Sequence, residues 1–173
     1  MILQEQLASA MKGTVVVMGI GNPSRGDDAA GSLVAKKIGE LPGVHVIDAE
    51  EVPENYMCQI LDEQPDTVVL IDCVDLKSAP GSVALLDKDQ TAGYWPSTHR
   101  VPINLLMDYL ERETHARVLL IAIQPHQTNF SEMMSAAVSS SVEAIATGLK
   151  EAVPPRRMPT QAASVGQSRR VLT

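Results

Sequence analysis

The chain has 173 residues, 45% of them apolar, and a formal net charge of −7, so it can form one domain with its own core. The negative charge argues against nucleic acid or an anionic membrane surface as a partner, and no apolar run is long enough to cross a bilayer. Cys58 and Cys73 lack paired spacing, which argues against a disulfide framework and a structural zinc site. The first eleven residues lack a signal-peptide pattern, so we expect a cytoplasmic protein.

Predicted strands and helices alternate along the chain. We expect strands at residues 14–18, 44–47, 67–71, 83–86 and 117–123. A short helix or a loose end is expected at residues 1–12, and helices at residues 28–40, 53–63, 103–110 and 133–153. The fourth strand follows the third too closely for a parallel crossover, which favours an antiparallel orientation. The pattern predicts an α/β fold, with a mostly parallel five-stranded sheet, one antiparallel strand and helices on both faces.

Composition changes toward the end of the chain. Pro154 and Pro155 end the last predicted helix, and residues 154–173 contain four arginines, no acidic residue and few large apolar side chains. We therefore expect a disordered basic tail there. The expected division is an N-terminal extension at residues 1–12, a single α/β domain at 13–153 and the tail at 154–173.

The segment between the first strand and the first helix combines glycines with carboxylates. Gly19 and Gly21 match the start of a dinucleotide-binding turn, but Ser24 replaces its third glycine, and no lysine follows as a phosphate-binding loop requires. Asp27 and Asp28 stand at the expected helix start, where the helix dipole favours carboxylates, and they would repel a phosphate. A helix cap explains one aspartate readily and both less well. The loop is therefore predicted to receive a cation.

Two further candidates lie elsewhere in the chain. Asp72 closes the third strand, where an aspartate either satisfies nearby backbone amides or lies at the ligand-binding edge of an open α/β sheet. His99 follows a Pro-Ser-Thr turn, where a histidine is more often a cap or a surface residue than a ligand. Right-handed crossovers bring strand ends to one edge, so Asp28, Asp72 and His99 could converge there. One imidazole and two carboxylates can hold a divalent first-row metal with open coordination positions.

Other chemistry-bearing residues rank lower. His126 follows the last strand and could line the same edge. Cys73 directly follows Asp72, but adjacent strand residues point to opposite faces and a buried thiol is common, so a packed role is favoured over a nucleophilic one. No serine stands in a Gly-x-Ser-x-Gly elbow.

Three ordered motifs carry a family resemblance. They are Gly19-Ile-Gly-Asn with Gly26-Asp-Asp-Ala-Ala-Gly31, Leu70-Ile-Asp72 with Ala79-Pro-Gly81, and Ser97-Thr-His99-Arg. Together they resemble the hydrogenase maturation endopeptidases, the nickel-dependent proteases that finish [NiFe]-hydrogenase large subunits, and in particular the branch serving the formate-hydrogenlyase hydrogenase. The resemblance covers residues 13–150.

The resemblance implies a fold, a reaction and a site. It implies a three-layer α/β/α sandwich around a twisted sheet, and a monomeric, aspartic-type endopeptidase that removes the C-terminal extension of a hydrogenase large-subunit precursor. It implies that Asp28, Asp72 and His99 are the catalytic residues and contact nickel, which the precursor carries as a recognition signal. The free enzyme could hold another divalent metal at the same residues. Asp27 belongs to the motif but not to the metal-contacting set, and it is predicted to serve in capping or loop structure.

The chain departs from the family pattern after the second strand and near the last one. Where relatives carry Asp-Gly-Gly, this chain has Asp48-Ala49-Glu50, a change in a loop that could contribute to substrate recognition. His126 stands where close relatives have a different polar residue. Two other classes stay open: another metal-dependent α/β hydrolase or peptidase, and a nickel-binding maturation chaperone without enzymatic activity.

Overall fold

Five strands form one sheet in the order β2-β1-β3-β5-β4 in the computed structural model, which describes residues 3–91 and 101–152. The strands are β1 Val15–Ile20, β2 Val44–Glu50, β3 Thr67–Cys73, β4 Val83–Leu86 and β5 Arg117–Ile123. The pairs β1–β2, β1–β3 and β3–β5 are parallel, and β4 runs antiparallel to β5. The predicted mostly parallel sheet with one antiparallel strand is confirmed.

Helices cover both faces of the sheet. They are α1 Leu3–Ala10, α2 Ala30–Ile38, α3 Met57–Asp62, α4 Ile103–Thr114 and α5 Ala136–Ala152. Leu7 of α1, Val34 of α2 and Val142 of α5 share one apolar core with one face of the sheet. Ile60 of α3 and Leu106 of α4 belong to a second core on the opposite face. The three-layer α/β/α arrangement is therefore confirmed, and none of the helices in the described part of the chain is long and apolar enough to span a membrane.

Three helices begin later than the sequence predicts. The helix expected from residue 53 begins at Met57, because Pro53–Tyr56 form a 3-10 turn. The helix expected from residue 28 begins at Ala30, because Gly26–Ala29 form a 3-10 turn. The helix expected from residue 133 begins at Ala136. Ser135 precedes it in the position of an N-cap: its hydroxyl accepts the Val138 N–H at 3.4 Å and its carbonyl accepts the Ser139 N–H at 2.9 Å. Residues 153–173, including the predicted tail, lie outside the described residues.

The winding of the sheet reverses between β1 and β3. The chain passes from β1 through α2 to β2 on one side, then through α3 on the other face to β3, which pairs with the opposite edge of β1. In an open α/β sheet, such a reversal leaves a crevice outside the carboxyl ends of the two strands, and ligands bind there. The fold therefore places its binding crevice between the ends of β1 and β3.

Candidate active site

The start of α2 lies directly on the crevice between β1 and β3. A side chain at Gly31 would overlap the backbone carbonyl oxygens of Ile20 in β1 and Ile71 in β3. A side chain at Gly19 would in turn overlap the carbonyl of Gly31. The two glycines therefore allow a backbone-to-backbone approach that no other residue permits. This approach places Asp28, three residues before Gly31, next to the end of β3.

Asp28 is fully buried in the 3-10 turn that leads into α2. Its Oδ2 accepts the backbone N–H of Asn22 at 3.3 Å. Its own carbonyl occupies the space that a side chain at Gly21 would need. The residue in the N-cap position of α2 is Ala29, without a side-chain capping bond, so the capping interpretation of the aspartate pair is wrong for this helix. The turn holds the Asp28 carboxylate inside the fold.

Asp72 lies at the carboxyl end of β3 and is also fully buried. Its Oδ1 accepts the backbone N–H of Cys73 at 2.7 Å. Asp72 shares a strand face with Val68 and Leu70, whose side chains belong to the core under α3 and α4. The Asp72 carboxylate therefore lies at the end of the second core, at the carboxyl edge of β3.

The Cys73 thiol is buried, and neighbouring carboxylates affect its pKa. Burial raises the pKa of this thiol well above its ordinary value, and the negative charges of Asp72, Asp28 and Asp27 raise the pKa further. The Cys73 Sγ–H donates to the backbone carbonyl of Asp27 at 2.9 Å. A thiol held neutral and buried is a poor nucleophile, which agrees with the packed role predicted for it. The hydrogen bonds of Cys73 thus connect the end of β3 to the turn that holds Asp27 and Asp28.

The structure describes His126 but not His99. His99 lies in residues 92–100, outside the described part of the chain, so its place beside Asp28 and Asp72 stays a prediction. His126 does lie at this edge, just after β5, but its side chain is exposed and its backbone N–H binds Asp27. Within the described ranges, no group of three or more His, Cys, Asp or Glu side chains is arranged to hold a metal ion. Asp28 and Asp72 are both fully buried, and their grouping with His99 in one site stays a prediction.

Asp27 has an environment that sequence reasoning did not anticipate. It is fully buried, and its carboxylate accepts hydrogen bonds from the backbone N–H groups of His126, Gln127 and Ser135 and from the Ser135 hydroxyl. These donors stand 99 to 108 residues away in the chain. Local sequence carries no signal for such a contact, because neither segment is patterned for the other.

The Asp48-Ala49-Glu50 segment contains a left-handed backbone position beside the glycine loop. Glu50 has a φ of 48°, a left-handed conformation that glycine adopts more readily. β2 nevertheless continues through Glu50, two residues beyond the expected end at Asp48. The Gly21 N–H donates to the Glu50 carbonyl at 2.7 Å, and the side chains of Asn22 and Glu51 are hydrogen-bonded. The loop after β2 is therefore tied directly to the glycine loop of the site.

The buried carboxylates Asp28 and Asp72 lie near the winding reversal of an open α/β sheet, the region where proteins of this fold class bind ligands. The family described as HycI, hydrogenase maturation protease, matches residues 32–151. The hydrogenase 3 maturation protease of Escherichia coli K12 is 33% identical over 135 residues, which cover 76% of this chain and 86% of that protein. A putative hydrogenase maturation protease of Methanocaldococcus jannaschii is 30% identical over 140 residues, or 74% and 83% of the two chains.

Solved structures agree with the sequence matches. The [NiFe] hydrogenase maturation protease HycI of Thermococcus kodakarensis superimposes with a TM-score of 0.73 at 32% identity, covering 84% of this chain and 99% of that chain. The chain therefore belongs to the hydrogenase maturation protease family. It is a hydrogenase maturation protease, an endopeptidase.

Proposed function

We propose that this protein removes the C-terminal extension of a [NiFe]-hydrogenase large-subunit precursor after nickel insertion, and that it recognises the nickel carried by that precursor. The observation that supports this most directly is the pair of fully buried carboxylates, Asp28 and Asp72, at the crevice between β1 and β3. Two like charges held close together repel one another, and a cation between them offsets that repulsion. A site of this kind is suited to a positively charged group on the substrate.

The donor set fits a divalent metal of the first transition row. Asp28 and Asp72 supply carboxylate oxygens, and His99 is proposed to supply an imidazole nitrogen, as the family motif implies. With three protein donors, coordination positions stay available for the ligands that the precursor already provides. We propose that the same residues can bind another divalent metal when no precursor is present.

Two chemical roles are compatible with these side chains. A carboxylate can act as the general base that takes a proton from the attacking water. Alternatively, the substrate's metal can polarise the scissile carbonyl while Asp28 and Asp72 only hold it in place. In both cases the enzyme fixes the peptide against the site, and positioning of that kind lowers a barrier by about 7–11 kcal/mol in favourable intramolecular reactions.

The test compares nickel-loaded and nickel-free large-subunit precursor with the purified protein. We expect cleavage of the nickel-loaded precursor alone, measured by mass spectrometry of the released C-terminal peptide. Equal cleavage of both forms would show a peptidase that does not recognise nickel. Tight nickel binding without cleavage of either form would instead identify a maturation chaperone.

We also propose that the enzyme acts as a monomer in the cytoplasm. Cys58 is exposed, Cys73 is buried, and neither forms a disulfide, which suits a reducing compartment. Sedimentation velocity at the concentration used for cleavage tests the oligomeric state, and a dimer at that concentration contradicts it. Fractionation of cells that express the full chain tests the compartment.

A further inference from the structure

Asp27 lies beside the proposed nickel-facing residues but has a different set of partners. Its Oδ1 accepts the Ser135 N–H at 2.6 Å, and its Oδ2 accepts the N–H groups of His126 at 2.8 Å and Gln127 at 3.2 Å. The Ser135 hydroxyl donates to Oδ2 at 3.0 Å. A carboxylate offers about four acceptor positions, so hydrogen bonds to one segment use all of them. That segment, residues 124–135 between β5 and α5, is here named the β5–α5 loop.

Further contacts join the β5–α5 loop to the glycine loop. The Asp27 N–H donates to the Gln127 carbonyl at 3.1 Å, and the Ser131 N–H donates to the Ser24 carbonyl at 2.9 Å. Gly26 has a φ of 54°, and a side chain there would lie 2.6 Å from the Gln127 Nε2. The two loops therefore form one hydrogen-bonded unit, in which Asp28 and the β5–α5 loop hold fixed relative positions.

The β5–α5 loop presents two large apolar side chains to solvent. Phe130 is 64% exposed and Met133 is 87% exposed. The Arg25 guanidinium stacks over the Phe130 ring, 4.4 Å from its centroid, and the Arg25 Nε donates to the Thr128 carbonyl at 3.2 Å. Because β5 pairs with β3 in parallel, the loop after β5 lies at the same sheet edge as Asp72. The apolar pair therefore flanks the crevice.

We propose that Asp27 is a positioning residue for precursor binding: it fixes the β5–α5 loop so that Phe130 and Met133 contact an apolar stretch of the large-subunit precursor beside the cleaved bond. This rests on the precursor cleavage proposed above and adds a determinant of substrate binding that is separate from Asp28 and Asp72. Apolar side chains held in a hydrogen-bonded loop are suited to protein recognition, because little conformational freedom is lost when a partner covers them.

The test begins with Asp27→Asn. An asparagine amide has one acceptor oxygen and one NH₂ group, so either Ser135 or the His126–Gln127 pair faces a donor instead of an acceptor. We expect KM for nickel-loaded precursor to rise about tenfold, the effect of losing one charge-assisted hydrogen bond, and kcat to change less than about twofold. Amide hydrogen exchange at His126, Gln127 and Ser135 becomes faster in the same variant.

A double-mutant cycle tests whether Asp27 acts through the apolar pair. Phe130→Ser is expected to raise KM by a similar factor, and the double variant to raise it no further, because the displaced loop no longer presents Phe130. Unchanged KM in Asp27→Asn overturns the proposal. Independent effects that multiply in the double variant overturn it as well, as does a fall in kcat at constant KM.

Matched controls separate positioning from general stability. Asp66→Asn makes the same substitution in an aspartate that accepts the Thr14 N–H at 2.7 Å, at the opposite end of the sheet, so it lowers stability without changing KM. Tyr109→Ser removes an exposed aromatic from α4 and leaves KM unchanged. If Asp27→Asn does not fold, Ser135→Ala is expected to raise KM about threefold. This change removes the hydroxyl, which donates to Asp27 and accepts the Val138 N–H, and keeps the Ser135 backbone N–H that binds Asp27. Absence of cleavage by the unaltered enzyme contradicts the proposed function instead, while the exchange measurement still reports on Asp27 and the loop.

Discussion

Asp27 and Asp28 are neighbours in sequence, yet their carboxylates have different partners. The carboxylate of Asp27 accepts hydrogen bonds from the β5–α5 loop, whereas that of Asp28 accepts the Asn22 N–H at the start of the glycine loop. Four hydrogen bonds from one loop give Asp27 a structural role. The family motif implies that the chemistry belongs to Asp28, and this stays a prediction.

Substitution of Asp28 tests that assignment. We expect Asp28→Asn to lower the cleavage rate of nickel-loaded precursor by about 100-fold or more, because a carboxylate that binds the substrate's metal or takes a proton contributes at least that factor. The free energy of unfolding should stay within about 1 kcal/mol of the unaltered protein, because the amide is isosteric. Single-turnover cleavage and urea unfolding measure the two effects.

The control for Asp28 is Asp75→Asn. Asp75 follows β3 at the same edge of the sheet, but its carboxylate is paired with Lys77 near the surface. We expect this variant to cleave normally. Full cleavage activity in Asp28→Asn would remove Asp28 from the site, and an equal loss in Asp75→Asn would point to a general effect of negative charge at this edge.

Because the pKa of Cys73 is raised, the stability of the fold depends on pH in a direction that can be stated. Burial and the neighbouring carboxylates raise the pKa of its thiol in the folded protein, while an unfolded cysteine ionises at a pH of about 8.5. Above that pH the unfolded state binds fewer protons than the folded state, so stability falls as pH rises, by at most about 1.4 kcal/mol per pH unit for one group. Urea unfolding between about pH 7.5 and 10 measures this slope.

Cys73→Ser is the comparison for that slope. Serine keeps a donor for the Asp27 carbonyl but does not ionise in this range. We expect a shallower loss of stability at alkaline pH in Cys73→Ser, whereas Cys58→Ser, at an exposed position, should keep the slope of the unaltered protein. Identical slopes in all three proteins would show that Cys73 does not set the alkaline response.

At the scale of whole elements, the site depends on the close packing of α2 against the sheet. Gly31→Ala should destabilise the protein by about 3 kcal/mol or more, because the added methyl group meets backbone carbonyls of β1 and β3 that cannot move independently. Gly148→Ala is the matched control within α5: its nearest neighbour, the Leu7 Cδ1, lies 3.6 Å from the new methyl group. That change should stabilise the protein by about 0.5–1 kcal/mol through helix propensity. Thermal unfolding measures the change in stability of both variants. Equal changes would contradict close packing of Gly31 against the sheet.

Elements were predictable from sequence where the determining pattern is local. Strands β3 and β5 were predictable because residues 68–71 and 118–123 are continuous apolar runs. The position of Asp72 at the carboxyl end of β3 was predictable too, because it directly follows such a run. The late start of α5 at Ala136 and the role of Asp27 were not, since both depend on a contact between segments about 100 residues apart, for which neither segment has a pattern of its own. His99 stays a prediction.

At the scale of the whole molecule, α1 is part of one of the two cores, although sequence alone left residues 1–12 as either a helix or a loose end. Leu7 is fully buried and packs with residues of α2 and α5. We expect Leu7→Ala to lower the free energy of unfolding by about 2–5 kcal/mol, the usual cost of a cavity at a buried leucine. Ser9→Ala, on the exposed side of the same helix, should change it by less than about 0.5 kcal/mol. Urea unfolding measures both changes.

Because α1 supplies none of the proposed site residues, Leu7→Ala should still cleave nickel-loaded precursor at temperatures where it is folded. A change of less than about 1 kcal/mol would show that α1 is a dispensable extension.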